Sequence, residues 1–330
     1  MTWTTTSGAD LIRSEIWSRE LKELLLDTLM GTGYVNWLQE FPDGNLFTIP
    51  SVGQATVRDY TEDTPIKYDA MDTGEFQFAI TEYVSSGTYI TDKQKQDAYY
   101  SSQLISSFVP KERRALDERL ETDVLAVGQP DGAINSGQPG TTTQTKGGYN
   151  LINGARHRML ASGTSVVMAV QDFSRAKFAL KRANVPLSNL VAIVDPSVAV
   201  ELETLTNLVN VSNNPQWEGI ISSGLTTGMR FIKNIYGFDV WESNYLSQVA
   251  TTAAGADFTE TAGQVCNLFF SAEGSVKPFV GAWRQMPRVE FERNKDFQRD
   301  EYVTTARYGL KLYRPENLVT ILSATTQVYA

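Results

Sequence analysis

Residues 301–322 read EYVTTARYGLKLYRPENLVTIL, and the reading of this stretch decides the fold. Tyr302, Thr304 and Ala306 lead into Tyr308-Gly309-Leu310-Lys311-Leu312-Tyr313, a strand pattern that Arg314-Pro315-Glu316 interrupts. Proline has no amide hydrogen to give a ladder, and it biases the residue before it toward extended backbone. Pro315 therefore marks a strand exit, and the apolar segment from Leu318 to Leu322 is expected to leave in a new direction.

Around this stretch, composition sets bounds. With 330 residues, 42% of them hydrophobic, the chain has ample material for a core and is expected to form two domains, or one domain with extensions. Its 29 Lys and Arg against 38 Asp and Glu give a formal net charge of -9. That sign opposes binding to phosphate backbones by counterion release, so non-specific nucleic-acid binding is not expected. Cys266 is the single cysteine, which excludes an internal disulfide framework, and within Val265-Cys266-Asn267-Leu268-Phe269-Phe270 it reads as a small buried hydrophobe. The opening MTWTTTSGAD has neither the basic region nor the apolar core of a signal peptide, and no run approaches the roughly 20 apolar residues of a membrane helix. No membrane partner is expected, and synthesis in a cytoplasm is.

Working inward from the N-terminus, Asp10 can cap a helix whose Ile12, Ile16, Leu21, Leu24, Leu25 and Leu29 form a broad apolar stripe that stops at Gly31. Such an arm buries its stripe on its own core or on a neighbouring subunit. From Leu46 to Ile90 the period becomes two: Phe47 and Ile49 on one run, and Phe76, Phe78 and Ile80 alternating with Glu75, Gln77 and Ala79 on another. This is expected to be a long hairpin whose charged, Pro- and Gly-containing middle, residues 62–74, is a solvated tip. A two-stranded ribbon is marginal alone in water, so it needs a surface, and another copy of the chain is the expected one.

Helical periodicity dominates residues 92–127. Leu116, Leu120, Val124 and Val127 recur every three or four positions, Gly128 stops the run, and charged residues from Lys111 to Glu121 fill the other faces. Pro110 either starts a second helix or bends one long one, and the long bent helix is the preferred reading. Residues 129–148, QPDGAINSGQPGTTTQTKGG, form a loop and a boundary. Beyond it the sequence predicts helices over 151–160, 172–183, 197–208 and 217–221, and strands over 190–194, 229–232, 238–242 and 265–270. Asp195 caps the third of these helices, with Pro196 at its first position. Two β-rich stretches, 289–293 and 300–313, close the chain.

Chemistry-bearing groups are scarce. His157, the only histidine, lies in Arg156-His157-Arg158 on the expected helix, reads as solvated or locally bonded, and cannot support a histidine triad or a multi-histidine metal site within one chain. Gly31-Thr32-Gly33-Tyr34-Val35-Asn36 lacks the third glycine of a dinucleotide turn and follows a helix, not a strand. Asp59, Glu62, Asp63, Asp69 and Asp72 could bind a hard cation through their carboxylates, but a solvated loop face is the simpler reading. Asn210-Val211-Ser212 has the form of a glycosylation sequon without a secretory signal. No carboxylate pair is marked out for hydrolysis. No catalytic, cofactor-binding or metal residue is therefore assigned, and no cofactor is expected.

The order of arm, hairpin, long helix, mixed region and final ARYGLKLYRPENLV resembles the Hong Kong 97 type capsid fold of tailed double-stranded DNA phages. Phe41-Pro42-Asp43-Gly44, Phe47-Thr48-Ile49-Pro50, Val191-Ala192-Ile193-Val194-Asp195-Pro196 and Gly237-Phe238-Asp239-Val240 add to the resemblance, and the layout is most similar to capsid proteins of short-tailed phages. The resemblance implies an α+β fold with an N-terminal arm at 1–45, an extended loop at 46–90, a peripheral domain with a spine helix at 91–150 and 286–330, and an axial domain at 151–285. It implies a non-enzymatic major capsid protein that assembles into hexamers and pentamers of an icosahedral shell. The implied partners are copies of itself, a scaffolding protein, a portal protein at one vertex, in some shells a decoration protein, and packaged DNA held without sequence-specific contact. About 45 residues precede the hairpin, too few for a built-in scaffolding extension, so scaffolding is expected as a separate protein. The implied location is the virion capsid, with assembly in the host cytoplasm. Lys67 is the only lysine between Leu46 and Ile90, the region in which the family's namesake crosslinks a lysine, yet no matching catalytic residue is present. An encapsulin-like nanocompartment in the same fold, or a soluble acidic hydrolase or sugar-binding protein, are the competing readings.

Overall fold

A computed structural model describes residues 29–38, 46–53, 55, 57–70, 73–97, 101–127, 148–204 and 231–325. The arm helix expected over 12–29, nearly all of the 129–148 loop, the 217–221 helix, the sequon at Asn210 and the side chain of Asp72 lie outside the described residues. A 3-10 turn at Gly31–Tyr34 enters β1 (Val35–Leu38); β2 (Leu46–Val52), β3 (Thr73–Ala79) and β4 (Glu82–Thr91) precede α1 (Asp92–Asp97) and α2 (Ser101–Ala126). Three short strands follow, β5 (Leu151–Ile152), β6 (Ala155–Arg156) and β7 (Arg158–Leu160), then α3 (Val170–Arg182), β8 (Leu190–Val194) and α4 (Pro196–Thr204). The last part is β9 (Phe231–Ile235), β10 (Phe238–Glu242), β11 (Ala253–Ala254), β12 (Thr259–Glu260), β13 (Val265–Ser271), β14 (Phe279–Asn294), β15 (Arg299–Leu312) and β16 (Val319–Ser323).

Two sheets organise these elements. One has four strands in the order β1-β14-β15-β4, and the other has six in the order β7-β16-β13-β8-β10-β9. The stretch 301–322 joins them: β15 ends in the first sheet, a 3-10 turn at Pro315–Asn317 redirects the chain, and β16 pairs antiparallel with β13 in the second. Asn317 holds the turn by accepting from the Ser271 amide at 2.8 Å and donating to the carbonyls of Ser271 and Val276 at 2.8 and 2.6 Å. The strand exit expected at Pro315 is present.

The six-stranded sheet is covered on both faces, so its central strands β8, β13 and β16 are buried at every position instead of alternating with exposed residues. β8 is LVAIV with all five residues buried. Ala192 and Val194 meet α3 through Phe173, Ala176 and Leu180, together with Phe238, Phe269 and Ile321. Val191 and Ile193 face the other way, into a cluster with Leu268 and Phe270, with Leu120, Val124 and Leu125 of α2, and with Phe279, Tyr308 and Leu312 of the four-stranded sheet. A shared core thus unites α2 and both sheets. Pro110 lies inside α2, so one helix continues through it from Ser101 to Ala126 and no second helix starts there, and the amide missing at Pro110 falls at an exposed position.

β14 and β15 form a hairpin in which Phe279–Ala282 at the base of β14 are buried and Arg288–Arg293 toward its tip are exposed, while β15 is exposed only at Val303. Its register shifts between Trp283 and Gln285 and again between Gln285 and Arg288, which places Pro287 at an irregularity, where a strand tolerates a missing donor. Gly309 is needed because a Cβ there would sit 2.9 Å from the Ala79 carbonyl oxygen and 3.0 Å from the Ile80 Cα.

Three sequence expectations are corrected. Residues 151–160 are not a helix but β5, β6 and β7; Asn153 and Gly154, with φ of 49° and 75°, form the tight turn between β5 and β6. The hairpin is shorter than 46–90: β2 pairs with β3 from Leu46↔Ala79 to Val52↔Thr73, whereas β4 pairs with β15. His157 is neither helical nor solvated, being wholly buried, and of the two expectations for it the local bond holds, to the Ala155 carbonyl. β-strand period leaves the choice of partner open, and β4 and β7 find theirs in β15 and β16, remote in sequence.

Candidate assembly surfaces

The β2–β3 ribbon is anchored at one end and bare at the other. Phe76, Phe78 and Ile80 are buried against Val280 and Ala282 of β14, with Phe47, Ile49 and Tyr313 packed around them. Phe76 meets Tyr313 edge-on with ring centroids 5.1 Å apart, and Lys311 Nζ donates to the Gln77 carbonyl at 2.7 Å. Beyond Val52, described residues 57–70 are all exposed and carry no helix or strand. Val57 is 94% exposed and Tyr68 88%, with Tyr60 and Ile66 also bare. Apolar groups left in water over so long a segment are a surface for something else to cover. Asp59, Glu62 and Asp63 are exposed on the same segment; Asp69 pairs with Arg58 at 2.6 Å; Lys67 is exposed. Among the described residues no group of three or more acidic, histidine or cysteine side chains is placed to hold a metal ion.

At the entry of the chain, a buried carboxylate on α2 does the holding. Glu121 accepts from the Gly31 amide at 2.7 and 2.8 Å and from the Met30 amide at 3.1 Å, and a Cβ at Gly31 would lie 2.8 Å from its Oε2. Burial raises the Glu121 pKa, opposed by these backbone hydrogen bonds. The glycine turn considered for nucleotide phosphates is thus occupied by the protein's own carboxylate. Just after it, Trp37 stacks on Trp283 at 5.0 Å, fixing β1 beside β14.

α2 is clamped to the four-stranded sheet by polar contacts that no local pattern signals. Buried Glu112 accepts from Thr304 at 2.8 Å and from Thr88, and Tyr308 donates to Asp123 at 2.6 Å. At the far tip, Arg293 takes Asp92 in a two-point contact at 2.9 and 2.6 Å and reaches Asp300 at 3.0 Å, while Lys95 also pairs with Asp300. Hydrogen bonds to Arg293 and Lys95 hold the Asp92 and Asp300 carboxyls below the usual carboxylate range. The start of α1 and the β14–β15 turn are therefore one rigid end. β4 turns Tyr83 and Tyr89 outward and Ile90 inward.

The remaining candidates are structural. His157 lies between the Ala155 and Glu316 carbonyls at 3.3 and 3.2 Å, and burial depresses its pKa. Next to it, Arg158 Nε and Nη2 donate to Glu260 Oε1 at 2.9 and 2.8 Å with both side chains fully buried. Cys266 is buried, as its apolar neighbours imply. Sequence reasoning missed Glu121 and the Arg158–Glu260 pair, because charged residues on an amphipathic helix or a short strand look solvated until a distant segment covers them.

Comparison with known proteins gives a consistent family. The model of a family described as phage capsid protein matches residues 74–321. Among solved structures the chain is similar to "Capsid structure of the Cyanophage P-SCSP1u", at 17% identity and a TM-score of 0.72 over 98% of this chain and 96% of that one. It is also similar to a chain from Mycobacterium phage Che8, at 18% identity and 0.67 over 94% and 97%, and to one from "Cyanophage Pam1 capsid asymmetric unit", at 14% and 0.68 over 98% and 99%. No curated protein matches the chain.

Proposed function

Because this chain belongs to the phage capsid protein family, we propose that the bare ribbon and the outer half of the β14–β15 hairpin are the surfaces by which copies tile. The protein is a major capsid protein, a subunit of an icosahedral shell, and its place is the virion capsid. The proposal assigns residues 46–90 to a loop overlapping an adjacent subunit, 91–150 with 286–330 to a peripheral domain containing α2, 151–285 to an axial domain around capsomer centres, and 1–45 to an arm. The capsomers are hexamers and pentamers, and the role is structural, without catalysis. Separate scaffolding, a portal at one vertex, enclosed double-stranded DNA, assembly in the host cytoplasm and the short-tailed phage layout belong to the same reading.

The observation that carries it is the exposed segment 57–70, with Val57, Tyr60, Ile66 and Tyr68 bare among its charged residues, on a ribbon whose base is buried. A subunit held by ribbon, arm and domain edges to several neighbours gains avidity even where each contact is weak. Size-exclusion chromatography with electron microscopy of the expressed chain tests the reading: capsomers or closed shells are expected. A compact monomer at every protein and salt concentration would overturn it.

A further inference from the structure

The charge of -9 is a sum over the whole chain, and it hides a surface of the opposite sign. α3 packs Phe173, Ala176, Ala179 and Leu180 onto the six-stranded sheet, so its other side faces out. That side carries Arg175, Lys177, Lys181 and Arg182. The only carboxylate on α3, Asp172, is buried; it accepts from the Ser162 and Ala169 amides at 3.0 Å each and pairs with Arg175 at 2.7 Å. Strand β6 adds Arg156 beside this face, lying 3.8 Å over the Tyr149 ring, and Gly154 of the β5–β6 turn abuts the Arg182 guanidinium. On the other flank Lys177 Nζ donates to the Tyr236 carbonyl at 2.7 Å. Between Arg156 and Arg175 opens a cavity of about 420 Å³ walled by Met159 and Phe178. The carboxylates on the flanking segments include Asp257, which accepts from the Tyr149 amide, and Asp239 on the β9–β10 hairpin, which accepts from Asn234.

Like charges on one helix face repel, and Lys177 with Lys181 stand at the i,i+4 spacing where this is felt. The helix dipole accounts for Lys181 and Arg182 in the last turn, and Asp172 offsets Arg175, but the partners of Lys177 and Arg156 named above, a carbonyl and a ring, carry no net charge to offset theirs. An anion from outside resolves the repulsion. We infer that the outward face of α3 with Arg156 is a contact for the phosphate backbone of packaged double-stranded DNA, non-specific in sequence and dependent on salt. The inference rests on the reading of the shell as one that encloses DNA. Spread-out cations without a bidentate base-reading arrangement suit a regular row of phosphates, and each neutralised phosphate releases condensed counterions.

The test is fluorescence anisotropy of a labelled 20-base-pair duplex of mixed sequence with the unassembled full chain between about 50 and 200 mM salt. About four phosphate contacts predict an affinity falling on the order of 10²-fold across that range. K181Q/R182Q should reduce the magnitude of the log–log slope by about 2, whereas K93Q/K295Q, exposed cations elsewhere, should leave it unchanged. Absence of binding by the wild type, or an unchanged slope in K181Q/R182Q, would overturn the site. Equal binding of poly-glutamate together with loss of particles in K181Q/R182Q would overturn it in favour of a contact between copies. Particle formation by the wild type, read separately by electron microscopy, tells failure of this site from failure of the shell reading.

Discussion

Tyr308 on β15 donates its phenol hydrogen to Asp123 on α2 across 2.6 Å, and Asp123 is held from the other side by Arg119 at 3.1 Å. Tyr308 is 1% exposed, so the contact sits where α2, β15 and the shared core meet. A Tyr308→Phe substitution keeps the ring and removes the donor. A hydrogen bond to a charged acceptor contributes about 1.5–3 kcal/mol, so the guanidinium midpoint of the unassembled chain should fall by that equivalent. Burial first, then the Asp123 bond and charge, raise the phenol pKa above its ordinary 10.0. The neutral form is favoured on folding, so this stabilisation is full below about pH 10 and declines as the pH rises above it toward the raised folded value. Wild type should lose stability more steeply than Tyr308→Phe above that pH.

Glu121 predicts a pH effect at the other end of the scale. Its folded pKa is raised above 4.5, so the folded state binds the proton more tightly than the unfolded chain does. Its contribution is full below pH 4.5 and declines as pH rises through the folded pKa. Denaturation midpoints across pH 4–7 should decline less steeply for Glu121→Gln than for wild type; identical slopes would refute the assignment. Gly31→Ala should loosen the same junction, since its methyl meets Glu121 Oε2 at 2.8 Å, and should speed proteolysis near Met30 without unfolding the sheets.

The buried Arg158–Glu260 pair predicts non-additivity. Removing one partner strands a buried charge at about 3–5 kcal/mol, so Glu260→Gln should cut soluble yield and lower the unfolding midpoint. Arg158→Met combined with Glu260→Leu should recover most of that loss. A double variant as unstable as the sum of the singles would show that the two side chains act independently.

Deleting residues 62–70 removes only exposed positions. Stability of the unassembled chain should stay within about 0.5 kcal/mol of wild type, while particle formation is lost. Normal particles from the deletion would refute the overlap assigned to the ribbon.

Where the sequence was legible, the signal was local and chemical. Pro315 cannot continue a ladder, and β15 ends before it. Asp195 caps α4, its carboxylate accepting from the Ser197 amide at 3.0 Å. Leu116, Leu120 and Val124 are buried as their spacing requires. The misreading of 151–160 passed over Asn153-Gly154, the pair that shapes the tight turn between β5 and β6.

By itself, then, the sequence determined the strands β8, β10, β13 and β15, the spine helix, the strand exit and the family resemblance, because periodicity, proline geometry and capping act within a few residues. Only the tertiary structure decided that β4 leaves the ribbon for β15, that Glu121 closes on Gly31 90 residues away, and that an acidic chain presents a basic face on α3. Those outcomes depend on which remote surfaces meet. A one-dimensional pattern shows which face of a strand is apolar and the total charge, but not the neighbour that covers the first or the place where the second concentrates.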